Sequence, residues 1–294
     1  MFNLPLFTIY TPTYNRKNLL PRLYDSLCNQ TCKNFIWLVV DDGSSDGTGA
    51  LINLWKQSSP FQIEYVYKEN GGVHTAREIA FEIAKTELLW GVDSDDWLIN
   101  DAVEKVQTLW NKKKGTYLGI FALDRNVNKL NQTKFPLGLK ESSYQDLFCK
   151  YKVYGDIAII IRTDVIKKTN KFPVYSNEKL VSESYKWFQL PDEPFLILND
   201  FTTNIEYQDS GYTSNVRKNW FKNLNGYCDL YNNNVKHVKY LKKRVEYCIK
   251  YIIACSFLKK GNPVYGSSRP ILTAILYPLG LLAYYICKRM WVKR

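Results

Sequence analysis

Apolar positions change spacing repeatedly over the first hundred residues, and the changes predict strands alternating with helices. Leu6–Thr11 is a short apolar run that ends in the polar turn Pro12–Arg16. Leu19, Leu20, Leu23 and Leu27 then recur at helical spacing. Ile36–Val40 is apolar throughout, the pattern of a strand covered on both faces. It stops at Asp41-Asp42-Gly43-Ser44-Ser45-Asp46-Gly47-Thr48, a dense turn signal. Ile63, Tyr65 and Tyr67 alternate as a third strand, and Gly71-Gly72 interrupts the chain. Ala76, Ile79, Ala80, Ile83 and Ala84 mark one helical face, and the apolar run Leu88–Val92 ends at Asp93-Ser94-Asp95-Asp96. This order predicts an α/β domain with a mostly parallel sheet flanked by helices. Ligands of such sheets sit at the carboxyl ends of the strands, where all of these polar clusters fall.

The pattern is mixed from about residue 101 to 215, with strands expected at Tyr117–Leu123 and Ile157–Ile161 and a helix at Glu183–Leu190. Residues 1–215 are expected to form the α/β domain and 216–294 a helical tail. In the tail, Val235, Val238, Leu241, Val245, Cys248, Ile249 and Ile252 share one helical face, with Lys239, Lys242, Lys243, Arg244 and Lys250 among them. Ile271–Cys287 holds no charge and includes Pro278 and Gly280. As a helix this run spans about 25 Å, short of the ~30 Å hydrocarbon core.

Charge sharpens the division. The chain carries +12 overall, yet Arg217–Arg294 holds sixteen Lys and Arg against only Asp229 and Glu246. A basic, apolar tail suits a membrane surface, so residues 235–294 are expected to lie on one as a monotopic anchor. A spanning helix and a buried core or dimer face are the alternatives, and a homo-oligomer stays open. No nucleic-acid-binding motif accompanies the basic residues, so nucleic acid is not an expected partner. Hydrophobic residues at 46% and charged residues at 23% fit a folded chain rather than a disordered one. Seven cysteines include no CxxC pair, which argues against a zinc site and a disulfide framework. The first residues lack the basic and apolar regions of a signal peptide. Together these features predict a cytoplasmic protein, peripheral or monotopic at the inner face of the cell membrane.

Three clusters carry candidate chemistry. Asp93-Ser94-Asp95-Asp96 sets three carboxylates side by side after an apolar strand. Their repulsion is costly unless a cation sits among them, and hard divalent ions are held by one or two carboxylates plus phosphate oxygens. A solvated, helix-capping turn is the plain alternative. Asp41 and Asp42 can accept from an imide N–H or a ribose hydroxyl, or serve an ordinary strand-to-helix turn. Gly71-Gly72 before a helix, with His74 and Arg77 following, offers backbone N–H groups and a cation to an anion. His74 is more readily a structural residue than a base.

In their order, Thr11-Pro12-Thr13-Tyr14-Asn15-Arg16, Val40–Thr48, Asn70-Gly71-Gly72-Val73-His74-Thr75-Ala76-Arg77 and Asp93-Ser94-Asp95-Asp96-Trp97-Leu98 closely resemble glycosyltransferase family 2 of the bacterial polysaccharide type. The resemblance implies a GT-A fold, with a nucleotide-sugar half over about 1–100 and an acceptor half over about 101–215. It implies that Thr11, Pro12 and Tyr14 line the nucleotide site and that Asp42, with Asp41, holds base or ribose. Arg77 would face the diphosphate, and Asp93 would touch ribose or a metal-bound water. Asp95 would ligate Mn2+ or Mg2+, with Asp96 secondary. The catalytic base falls nearest Glu183, with Glu178 as rival and Asp192 weaker. Where the family often has Ala-Arg-Asn-x-Gly this chain has Ala76-Arg77-Glu78-Ile79-Ala80, which leaves Glu78 unassigned. Tyr207–Asn215 is similar to a segment that closes over the diphosphate. The implied activity is inverting transfer from a nucleotide-sugar, UDP-sugar by family habit, to a glycan acceptor, often lipid-linked. A non-catalytic nucleotide-sugar-binding scaffold and a sugar-nucleotide nucleotidyltransferase are the alternatives. The second would need glycines after the first strand, and Thr11–Arg16 has none.

Overall fold

A computed structural model describes residues 4–113, 115–129, 131–206 and 216–291. The chain divides into two compact units, Met1–Asn170 with Leu190–Ser214, and Lys171–Gln189 with Asn215–Arg294. The expected division at 215/216 thus misplaces 171–189, which clusters with the tail.

The first unit is one sheet of β1 (Phe7–Thr13), β2 (Phe35–Asp41), β3 (Gln62–Tyr67), β4 (Leu88–Gly91), β5 (Trp97–Leu98), β6 (Gly119–Asn126), β7 (Glu141–Ser142), β8 (Ile157–Arg162) and β9 (Phe195–Ile205). Its order is β3-β2-β1-β4-β8-β6-β9-β5, with β7 also on β9. Only the β3-β2-β1-β4 half is uniformly parallel. β8 joins β4 and β6 antiparallel, and β6 pairs β9 in parallel. The sheet is the expected mostly parallel one in its β3-β2-β1-β4 half, and antiparallel pairings of β5, β7 and β8 make the other half mixed, where strand–helix alternation in the sequence has stopped.

Helices α1 (Leu20–Cys28), α2 (Thr48–Trp55), α3 (Val73–Ile83), α4 (Ala102–Asn111) and α5 (Thr163–Ile166) complete this unit. All seven residues of β2 are buried, as its unbroken apolar run requires. Leu20, Leu23 and Leu27 give α1 its buried face. Phe7, Trp37, Trp90 and Trp110 are fully or almost fully enclosed, each worth roughly 2–3 kcal/mol of burial. Tyr24 stacks on Trp55 with ring centroids 4.2 Å apart. This core fixes the sheet, so the loops after β1, β2, β3 and β4 start from rigid positions.

The second unit holds α6 (Ser184–Trp187), α7 (Val216–Lys222), α8 (Leu224–His237), α9 (Leu241–Leu258), α10 (Pro263–Gly266) and α11 (Pro270–Trp291). Residues 171–189 belong to it for a specific reason. Glu178 is buried and accepts hydrogen bonds from the N–H groups of Asn225 and Gly226, both at 2.7 Å, so it caps the start of α8. Asn223 Oδ1 in return accepts from the N–H groups of Lys179 and Leu180. The continuous face expected over Val235–Ile252 is broken. Val238 and Tyr240 are extended (ψ 125° and 116°), and Arg244 Nε donates to the Val238 carbonyl at 2.9 Å.

Helix α11 has 22 residues, about 33 Å, longer than its uncharged run and, by length and composition, able to cross a membrane. Leu272, Leu276 and Tyr277 pack on a cluster of Val235, Cys248 and Ile252. Gly280 permits this approach, since a Cβ there would lie 2.6 Å from Ile252. The opposite side leaves Ile271, Ile275, Leu279, Leu282, Ile286 and Met290 exposed.

Candidate active site

The loops at the carboxyl ends of the parallel strands are tied to one another. Asn15, in the left-handed region at φ 51°, donates its N–H to Ser44 Oγ and accepts from the Ser45 N–H, both at 2.8 Å. The Lys17 N–H donates to Asp46. Asp41 accepts from the Ser44 N–H at 2.8 Å and the Tyr65 hydroxyl at 2.7 Å. Burial and the Asp41 carboxylate push the Tyr65 phenol well up. Asp42 takes four donors: Lys68 Nζ at 2.5 Å, Asn70 Nδ2 at 3.1 Å, and the N–H groups of Gly71 at 2.8 Å and Gly72 at 2.7 Å. Gly72 has φ +100°, a conformation that favours glycine.

Several residues expected to face a nucleotide therefore lie inside. Thr11 and Pro12 are buried in β1, and Thr11 Oγ1 accepts from Trp37 Nε1. Asp41 and Asp42 are 0% and 3% exposed and shape the loops rather than presenting open oxygens. His74 is buried as well. Tyr14 is half exposed beyond the end of β1.

The acidic turn after β4 is different. Arg77 Nη2 reaches Asp93 at 2.9 Å and Arg16 Nη1 reaches Asp95 at 3.0 Å. Arg22 Nη2 donates to the Asp95 carbonyl at 2.6 Å, its Nη1 pairs with Glu206 at 2.7 Å, and its guanidinium lies 3.8 Å over the Trp97 ring. Burial pushes the Asp96 carboxyl up to about 9, with further repulsion from Asp93, Asp95 and Asp124 and partial relief from a Glu206 backbone hydrogen bond. Burial likewise raises Asp124 to about 7, opposed by a hydrogen bond from Thr203. The β6–β9 register shifts next to Asp124, the kind of irregularity that re-aims a side chain. Its Oδ1 is buried without a hydrogen-bond partner.

Sequence reasoning missed Arg16, Arg22, Asp124 and Glu206 as members of this corner. Two of them left a signal. Arg16 closes the Thr11–Arg16 motif, and Asp124 is an acid directly following the apolar run Ile120–Leu123. Glu178, the rival base, is occupied as a helix cap on Asn225 and Gly226. Glu183 sits at the start of α6 in the second unit, and Tyr207–Asn215 lies outside the described residues.

Comparison with known proteins bears on what this corner is. A family model described as Glycosyl transferase family 2 matches residues 8–169. The chain belongs to that family. Among its curated relatives are the chondroitin synthase of Pasteurella multocida, 37% identical over 125 residues, and the glycosyltransferase GlyA of Streptococcus pneumoniae, 36% identical over 154 residues. These matches cover 42% and 52% of this chain but only 13% and 20% of the relatives, so the chain spans a small part of their length. Staphylococcus aureus TarS 1–349, solved with UDP-GlcNAc, superposes with TM-score 0.60 at 17% identity over 88% of this chain and 72% of that one. The Pyrobaculum calidifontis mannosyltransferase solved with GDP-Man and Mn2+ gives 0.54 at 16% identity, over 100% and 89%. Both likenesses establish a GT-A-like fold.

The family resemblance implies a divalent cation, and the corner's residues fit one. Burial, then the nearby Asp93, Asp95 and Asp124, raise the proton affinity of Asp96, and the buried Oδ1 of Asp124 has no hydrogen-bond partner. Among the described residues no three His, Cys, Asp or Glu side chains converge to hold a metal unaided. Mg2+ in general is held by one or two carboxylates together with a ligand's phosphate oxygens.

Proposed function

We propose that this family 2 chain is an inverting, metal-dependent glycosyltransferase. It moves a sugar from a nucleotide-sugar, a UDP-sugar in the first instance, to a hydroxyl of a glycan acceptor in surface polysaccharide synthesis. One observation supports this above all: an under-neutralised acidic corner at the strand ends, faced by Arg16, Arg22 and Arg77. Nucleotide-sugars in two structural neighbours agree with it.

Asp95 would hold the cation, with Asp93 beside it. Bound there, a divalent ion supplies Lewis-acid neutralisation of the charge developing on the diphosphate leaving group. Arg77 adds a fixed donor on the same side. Tyr14, half exposed just beyond β1, would meet the nucleotide. Glu183 is the base that takes the acceptor hydroxyl proton, a step worth about 10²–10⁴-fold. Attack opposite the leaving group inverts the anomeric carbon.

The acceptor is read as lipid-linked, with residues 235–294 lying on the inner face of the membrane. The apolar row on α11 supports this, since its other side is taken by α9. A lone spanning helix would have to give up that packing.

The test is nucleoside diphosphate release from a panel of UDP-, GDP- and dTDP-sugars, with Mn2+ and with EDTA. Metal-dependent release from at least one sugar is expected. No release from any of them contradicts the proposal.

A further inference from the structure

Arg16 and Arg22 hold the same aspartate in different ways. Arg22 grips the main chain of Asp95 through its carbonyl, and is itself fixed by Trp97 and Glu206. Arg16 grips only the carboxylate, through one nitrogen at 3.0 Å. The pair's side chains keep 29% and 21% of their surface in solvent. A pair held through one nitrogen and still reached by solvent on both sides is weak, so a divalent charge can displace this one. The Arg16 backbone stays put meanwhile. Its carbonyl accepts from the N–H groups of Leu19 and Leu20 at the start of α1, and Asn15 beside it is pinned to Ser44 and Ser45. Motion is confined to the side chain.

We propose that Arg16 is a removable counter-ion. Its guanidinium neutralises Asp95 in the ligand-free protein, yields the carboxylate when cation and donor enter, and then serves the diphosphate. Arg22 keeps the loop in place throughout. This rests on the proposed function and assigns Arg16 a role in it. Two consequences follow from the exchange: Mn2+ alone binds weakly because it competes with Arg16, and UDP and Mn2+ strengthen each other's binding.

The experiment is calorimetry on the full chain with MnCl2 alone, and with UDP in the presence of MnCl2. Arg16→Gln should bind Mn2+ alone about two- to fivefold more tightly than wild type, while its affinity for UDP with Mn2+ falls. Arg16→Lys, which keeps the charge, should restore the weak binding of Mn2+ alone. Arg22→Lys should not tighten it. Unchanged or weakened Mn2+ binding in Arg16→Gln overturns the proposal, and weakened binding of both ligands assigns Arg16 a merely structural part. Wild-type protein that binds no UDP even with Mn2+ removes the functional reading itself. UDP binding in wild type with no gain for Mn2+ in Arg16→Gln removes only the counter-ion role.

Discussion

Asp42, buried, and Asp96, partly buried, both follow strands of one sheet, yet their surroundings are opposite. Asp42 receives four donors from Lys68, Asn70, Gly71 and Gly72. Burial pushes the Asp96 carboxyl up to about 9, and three acids near it add to the shift. A buried charge with a full set of donors belongs to the fold. A set of acids short of positive charge waits for something from outside. On the function proposed, the β2 loop serves as scaffold and the β4 corner as the cation site, although the two motifs look alike in sequence.

The largest effect expected on the scaffold side is from Asp42→Ala. It strands Lys68 beside a broken loop and should cost about 3–5 kcal/mol of stability by denaturant unfolding. A variant as stable as wild type would move Asp42 out of the scaffold. On the site side, Asp95→Ala should lower turnover by about 10²–10³-fold and leave the unfolding midpoint nearly unchanged. A collapse in stability there would erase the contrast between the two loops. The second unit offers a smaller version of the same test. Glu178→Ala should cost about 1–2 kcal/mol by removing the cap of α8, whereas Glu183→Gln should spare both stability and UDP binding but lose turnover. If Glu183→Gln keeps its rate, the base lies elsewhere.

The smallest effect is a slope. Asp124 titrates at about 7 in the folded chain, above its ordinary 3.8. Between those values the folded state keeps a proton that the unfolded state has released. Metal-free stability should therefore fall as pH rises from about 4 through 7. Asp124→Asn should flatten this part of the profile and melt higher than wild type above pH 7. Parallel melting profiles for the two proteins would count against an under-neutralised corner.

Much of this was legible in the sequence, and the limits have physical causes. The first four strands and the acidic turn follow from apolar runs that stop at Asp-rich turns. In the mixed half, β6 and β8 were legible as apolar runs, but their pairing and β9 were not, because β8 and β9 return to the sheet from far along the chain. Asp41 and Asp42 read as ligand-facing because a strand-end carboxylate looks the same whether its donors come from a ligand or from a glycine pair thirty residues on. Spacing puts Glu183 nearest the base position with Glu178 as rival, and the cap that Glu178 makes on Asn225 and Gly226 left no signal in the sequence. Arg22 was hidden in the apolar start of α1, since what it grips, the Asp95 carbonyl and the Trp97 ring, is set by tertiary packing.

The most direct test of the central claim is the affinity of the full chain for UDP measured by calorimetry with Mn2+ and again with EDTA. Binding at least about tenfold tighter with Mn2+, with the gain abolished in Asp95→Ala, is the result expected. Equal affinity in Mn2+ and EDTA would mean that the acidic corner does not grip a cation and a diphosphate together.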